Sequence, residues 1–262
     1  MLYKKGGSEF NNFKALFTEC FGEGDVLAEE ILGYARDFGE IHYLIEDGKI
    51  VTMLCLAGLE TGLKYLFAVA TSPEYRKRGL FAKNLSLSVT ENERIVCIPE
   101  NKTLFPLYDK VGFIKHGYVL QANIVGDGSL LQKTTDIDLD KLYEIYKNSS
   151  FFPKKPKELF FSTIRCHLLY GGTIINDKNF YALISKSSGK SIINELCVIT
   201  IDEQRIPELI KGCTVGETTI NLPIKFISLL KENGIKYRNR KIFALKSEKF
   251  ENNQFYINIL YN

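Results

Sequence analysis

The chain has 262 residues, 45% of them hydrophobic, enough to bury one large core or two ordinary ones. With 25% charged residues and a formal net charge of +3, it is neither disordered nor fibrous, and it lacks the concentrated basic balance of a nucleic-acid binder. Binding of a small polyanion stays compatible with that charge. No apolar run approaches the ~20 residues that cross a bilayer. The opening MLYKKGGSEF has no apolar stretch behind its lysines, so no secretory leader is expected and the expected location is cytoplasmic. Cys20, Cys55, Cys97, Cys166, Cys197 and Cys213 are scattered without metal-ligand spacing. They read as reduced thiols acting as small hydrophobes, and no metal is expected.

In chain order, SEFNNFKALFTECF (8–21) repeats its apolar residues at helical spacing, with Ser8 as the expected cap. Asp25 is the expected cap of a second helix. IHYLIEDGKIVTMLCLAGL (41–59) reads as a hairpin turning at Glu46, Asp47 and Gly48. KYLFAVAT (64–71) is a third strand, buried on both faces. A helix is predicted from about 79 to 91, a short strand over 94–99, and a short helix over 104–113 ending at Gly112. Residues 113–124 continue as a strand. This α-α-β-β-β-α-β-α-β order argues for a layered α/β (α+β) domain.

The small, polar stretch VGDGSLLQKTT (125–135) predicts a boundary, giving units 1–125 and 133–262. Beyond it helices are expected at 138–148 and 156–170, and strands at 171–176, 179–185 and 191–200. A short helix at 204–211, a strand at 217–222, a helix from 223 to 233 and a strand at 241–247 complete the chain. The same order of elements starts again here. The second unit is either a degenerate internal repeat of the first or an unrelated α+β domain. In both cases it has no arginine- and glycine-rich turn after its VIT (198–200).

The first unit does have such a turn. Val69, Ala70 and Thr71 end a buried strand, Ser72-Pro73-Glu74-Tyr75 follow, and Arg76, Lys77, Arg78, Gly79, Leu80, Phe81 and Ala82 lead into a helix. The first amides of a helix have no internal partner, and the helix dipole places about half a positive charge there. A diphosphate can therefore accept several N–H bonds at that point. Gly79 admits close approach of the backbone, and the three basic residues add charge, with arginine able to grip a phosphate bidentately. The bland alternative is a solvated helix start with ordinary surface charge.

These residues resemble motif A of the GNAT acetyltransferases, R/Q-x-x-G-x-G/A, with Arg76, Gly79 and Phe81 at the named positions. Phe81 departs from the small residue usual there. PENKTLFPLYDKVGF (99–113) resembles GNAT motif B, matching at Asn101, Tyr108, Gly112 and Phe113. The resemblance covers the first half of the chain. A catalytic unit followed by a motif-less one is also similar to the tandem GNAT proteins of the enhanced-intracellular-survival (Eis) group.

The resemblance implies a GNAT-like mixed sheet flanked by helices, followed by a second, degenerate GNAT-like α+β domain. It also implies acetyl-CoA as cosubstrate. The pantetheine arm would pair with the strand edge at Val69 and Thr71, and an N–H such as that of Ala70 would face the thioester carbonyl. Residues 76–82 would hold the phosphates. Tyr108 would act as general acid and Asn101 would hold pantetheine or a water; the alternatives are that Tyr108 packs against Phe113 and Leu107 and that Asn101 caps its loop. The general base is open among Glu40, Glu60 and the C-terminal carboxylate of Asn262. His42, His116 and His167 stand isolated and read as structural. The implied activity is direct acetyl transfer to a primary amine of a small molecule or peptide. Alternatives are a non-catalytic acyl-CoA-binding sensor, and nucleic-acid binding through residues 76–78 and 236–241. Neither the acceptor nor the oligomeric state can be read from the sequence.

Overall fold

The computed structural model describes residues 1–4, 6–131, 137–151 and 153–245, and the side chains of all of these but 61, 115–118 and 240–245. Two helices open the chain, α1 (Phe10–Phe21) and α2 (Asp25–Phe38). α1 buries Phe13, Leu16 and Phe17 on one stripe and stops at Gly22, whose φ of +72° lets its N–H return to Thr18 O. Ser8 is not its cap: Glu9 takes that position and makes no capping bond. Gly24 likewise precedes α2, and Asp25 is its first helical residue, where a carboxylate suits the positive end of the helix.

The predicted hairpin is β1 (Glu40–Glu46) and β2 (Lys49–Gly58), turning through Asp47 and Gly48, both at positive φ. β3 (Leu63–Thr71) pairs antiparallel with β2, and α3 (Leu80–Ser88) crosses over to β4 (Arg94–Cys97), parallel to β3. Period-two alternation distributes the core. Met53, Cys55 and Ala57 face α1 and α2 with Phe13 and Leu32, while Leu54 and Leu56 face α3 with Phe81 and Leu85. Next come α4 (Phe105–Lys110) and the long β5 (Phe113–Asp127).

The second half contains α5 (Leu139–Lys147), α6 (Lys157–Leu169), β6 (Thr173–Asn176), β7 (Phe180–Ser187) and β8 (Lys190–Val198). Its remaining described elements are α7 (Ile206–Gly212), β9 (Val215–Pro223), α8 (Ile227–Glu232) and β10 (Tyr237–Leu245). The repeated element order is therefore present, with β8 and β9 parallel as β3 and β4 are.

One sheet joins everything, in the order β1-β2-β3-β4-β10-β5-β9-β8-β7-β6. The last described strand of each half lies across the seam. β10, from the second half, pairs antiparallel with β4, and β5, from the first half, pairs antiparallel with β9. β5 and β10 pair with each other along the seam, Tyr237 opposite Ala122 through Leu245 opposite Phe113. Helix α6 adds a second link: Cys166 and Leu159 pack in the core cluster of α1 and α2, and the Arg165 guanidinium meets the Glu30 carboxylate at 2.9 Å.

Candidate active site

Parallel pairing of β3 with β4 lasts only from Leu63 to Tyr65, opposite Arg94 to Val96. Beyond it the two strands part and leave an edge of β3 open. Met53 faces Ala70 and Cys55 faces Phe67, so Ala68 and Val69 together oppose Leu54 in a bulge, with Ala68 at φ +47°. Ala70 O accepts from Thr52 Oγ1 at 2.8 Å and Ser72 N donates to Val51 O, so these peptides face β2. By alternation the peptides of Val69 and Thr71 face the open side. The expectation for Ala70 is corrected accordingly: its N–H is turned to β2, and Val69 presents the cleft-facing amide. Thr71 O is already engaged by Arg76 Nε at 3.1 Å and Cys20 Sγ at 3.4 Å.

Beyond β3 the chain makes a short turn at Pro73–Tyr75 and enters α3 through two left-handed residues, Lys77 at φ +65° and Gly79 at φ +73°. Gly79 is the N-cap residue. No side chain caps α3, and a Cβ at Gly79 would meet nothing within 4 Å, so the helix start is open to a ligand's approach. Lys77 and Arg78 are exposed, and the Arg78 guanidinium lies 4.7 Å from the Tyr75 ring centroid and 3.5 Å from the Glu46 carboxylate. The helix is anchored from below by Leu80, Phe81 and Leu85 and by Asn84 Nδ2, which donates to His42 O at 3.1 Å; Ala82 is exposed. Phe81 is 7% exposed and packs edge-on against Tyr108. Its ring is thus in the core, and the departure from the motif leaves no bulk over the helix start.

A cavity of about 350 Å³ lies where β3 and β4 part. Tyr65 to Val69 form one wall, and Ile98, Glu100, Leu104 and Tyr108 form the wall opposite. Phe17, Cys20, Phe21 and Glu23 close it from α1 and the loop after it, and Tyr170, past the end of α6, brings the second half to it. Burial pushes the Tyr108 phenol well above its ordinary pKa, with the Cys97 thiol adding to the shift, so the hydroxyl keeps its proton at neutral pH. Its ring also meets Phe113 at 5.1 Å, the packing that the alternative reading expects. Asn101 is exposed. Its Oδ1 accepts from Thr103 N at 3.0 Å and caps the turn at Lys102–Leu104, leaving only its amide nitrogen for any ligand.

The expected bases fare differently. Glu40 is bound by His42 Nε2 at 2.7 Å and Lys64 Nζ at 2.6 Å, and these partners hold its carboxyl down at about 2, too weak a base for an ammonium. Glu60 does not line the cavity, and Asn262 and the His116 side chain lie outside the described residues. His167 Nε2 bonds Thr173 O at 3.0 Å in a buried site that lowers its pKa. The sequence reading missed Glu23, Glu100 and Tyr170. Glu23 sits between Gly22 and Gly24, and Glu100 adjoins Asn101 in the second motif, two signals that could have been used. Nothing local marks Tyr170.

The second half shows what the same place becomes without the turn. β8 and β9 part after Ile193, and Glu195 stands two residues further on, as Phe67 does after Tyr65. Glu195 is fully buried, bonded to Lys155 Nζ at 3.1 Å and to the Tyr181 hydroxyl. Lys155 Nζ thus reaches a carboxylate at the position corresponding to the cavity wall of the first half. The turn after β8 is Thr200–Arg205, and Pro207 removes an amide from the start of α7.

This architecture is similar in fold to solved GCN5-related N-acetyltransferases. The chain is similar to a GCN5-related N-acetyltransferase from Anabaena variabilis, with a TM-score of 0.67 and 14% identity over 94% of this chain and 73% of that one. A probable N-acyltransferase of unknown function from Enterococcus faecalis gives 0.67 and 13%, over 93% and 72%. Eis1 from Mycobacterium abscessus gives 0.64 and 12%, over 94% and 74%. The fold class is therefore the mixed, helix-flanked sheet of these solved structures. No family model matches the sequence, and no curated protein matches it.

Proposed function

We propose that the chain is an acetyl-CoA-dependent N-acetyltransferase that moves an acetyl group directly to a primary amine. The observation that carries this reading is the open, uncapped start of α3 at Gly79, placed at the end of a bulged strand whose free edge leads into a cavity holding Tyr108. Residues 76–82 would hold the diphosphate, through α3 amides and the charges of Arg76, Lys77 and Arg78. Val69 would pair with the pantetheine arm as an added strand does, and its N–H would face the thioester carbonyl. The residues present fit the cosubstrate.

The cavity holds the amine against the thioester, and that proximity supplies much of the acceleration. The amine nitrogen bonds to the carbonyl carbon and the carbon–sulfur bond breaks. Tyr108 gives its proton to the departing sulfur and regains one from the nitrogen. The ammonium's extra proton leaves first, to water. No acyl-enzyme is involved. The acceptor is a small molecule or peptide amine, residues 1–125 supply the catalytic unit, and 133–262 form a degenerate unit that closes the cavity with Tyr170.

Calorimetry with acetyl-CoA, followed by thiol release over a panel of amines, tests the reading. Binding near equimolar stoichiometry with turnover on an amine supports it, and no affinity for any CoA species refutes it. The sensor reading predicts binding with no turnover on any amine. Of its two supports in the sequence, Phe81 and the lack of an identified general base, the first is weakened by the inward packing of that ring.

A further inference from the structure

The open edge of β3 carries an acceptor that is already filled. Thr71 O lies on the same side of the strand as the peptide of Val69. It accepts from Arg76 Nε at 3.1 Å and from Cys20 Sγ at 3.4 Å. A carbonyl oxygen has two lone pairs, and these two donors occupy both. The turn itself brings Arg76 there. Tyr75 N donates to Ser72 O at 2.9 Å and Arg76 N to Pro73 O at 3.3 Å, which folds the chain back onto the strand it has just left. Cys20 reaches the same carbonyl from the last turn of α1. The other side of this strand end is pinned to β2, by Ser72 N to Val51 O at 2.9 Å and by the contact of Thr52 Oγ1 with Thr71 Oγ1 at 3.0 Å.

A strand edge repeats every two residues, so an added chain can pair with it in more than one place. A pantetheine arm that paired at Thr71 in place of Val69 would be displaced by about 7 Å along the strand. Its thioester would then stop short of the cavity that holds Tyr108. The arm is a run of rotatable bonds, so a diphosphate held at the start of α3 does not by itself prevent the slip. A filled acceptor at Thr71 does.

We propose that Arg76 is a positioning residue, which occupies the Thr71 carbonyl and so keeps the arm in the register set by Val69. This rests on the transferase reading above and reassigns one residue of it: the Arg76 guanidinium serves the strand edge rather than the diphosphate.

The test compares Arg76→Gln with the native full-length chain. The side chain is exposed, so the midpoint of thermal unfolding should move by no more than a few degrees. Acetyl-CoA affinity is measured at low and high ionic strength, and kcat at saturating acetyl-CoA on an amine that the native chain acetylates. Arg76→Gln should lower kcat about tenfold to a hundredfold, as a misplaced reactant does, with the acetyl-CoA Kd within about threefold. The salt dependence of that Kd should not change. Lys77→Gln, which removes an exposed neighbouring cation, should show the reverse, weaker binding that depends less on salt. A flatter salt dependence in Arg76→Gln would make Arg76 a phosphate ligand and overturn the proposal, and so would an unchanged kcat. Both results leave the transferase reading standing. Acetyl-CoA binding by the native chain with turnover on no amine overturns the proposal and favours the sensor. No affinity of the native chain for any CoA species overturns the proposal and the transferase reading together.

Discussion

The rings of Phe81 and Tyr108 meet edge to face, their centroids 5.6 Å apart and their planes at 75°. The residue that departs from the phosphate-binding motif is thereby the support of the residue expected to act as acid. A substitution that restores the motif would damage this contact. Phe81→Ala should cost about 3–5 kcal/mol of stability, the usual range for emptying a buried phenylalanine site. Phe81→Leu should cost less and leave the acetyl-CoA Kd within about threefold, since only the backbone of residue 81 faces the helix start. Chemical denaturation and calorimetry read the two effects separately.

Gly79 is at the opposite extreme, with space around it and a backbone that other residues resist. Its φ of +73° puts any side chain in the left-handed region, at about 1–2 kcal/mol. Gly79→Val should unwind the start of α3 and reduce acetyl-CoA affinity more than tenfold, while the midpoint of thermal unfolding falls by only a few degrees. Retained affinity would show that the phosphates bind elsewhere.

Tyr108→Phe should lower kcat by about 10²–10⁴-fold with the acetyl-CoA Kd unchanged, the range for losing a general acid. Burial raises the phenol's pKa, so the acid stays protonated up to at least about pH 10, the ordinary phenol value. No alkaline limb in kcat should arise from it between pH 7 and 10. A limb in that window that vanishes in Tyr108→Phe would contradict the burial.

Glu40 should matter for stability rather than turnover. Bonds from His42 and then Lys64 hold its folded pKa at about 2, below the ~4.3 of an unfolded glutamate. A depressed carboxylate contributes stability that is present above pH ~4.3 and is lost as pH falls toward 2. Urea unfolding at pH 5 and pH 2.5 should show a larger loss for the native chain than for Glu40→Gln.

The buried Lys155–Glu195 pair gives a further expectation. Lys155→Met leaves a buried carboxylate without its cation and should cost about 3–5 kcal/mol. Adding Glu195→Leu should restore part of that, a non-additivity that a double-mutant cycle measures.

Much of the site was legible in the sequence because it is local. A buried strand, a glycine at positive φ and an amphipathic helix lie within residues 63–88, and each obeys rules of neighbouring residues: period two, αL tolerance, period 3.6. The free amides of α3 follow from those rules alone. The helix caps were misplaced because Glu9 and Gly24 stand one residue from the polar residues read as caps, and the helices begin there without a side-chain bond.

What the sequence determined by itself was the strand–turn–helix over residues 63–88, and with it the fold class. The tertiary structure alone decided that Phe81 points inward, that Val69 rather than Ala70 faces the cleft, and that Tyr170 joins Glu23 at the cavity. It also decided that β10 completes the sheet of the first half while β5 completes that of the second. The reason is physical: pattern and propensity act between near neighbours, whereas strand edges and cavity walls are satisfied by whichever distant segment packing brings to them.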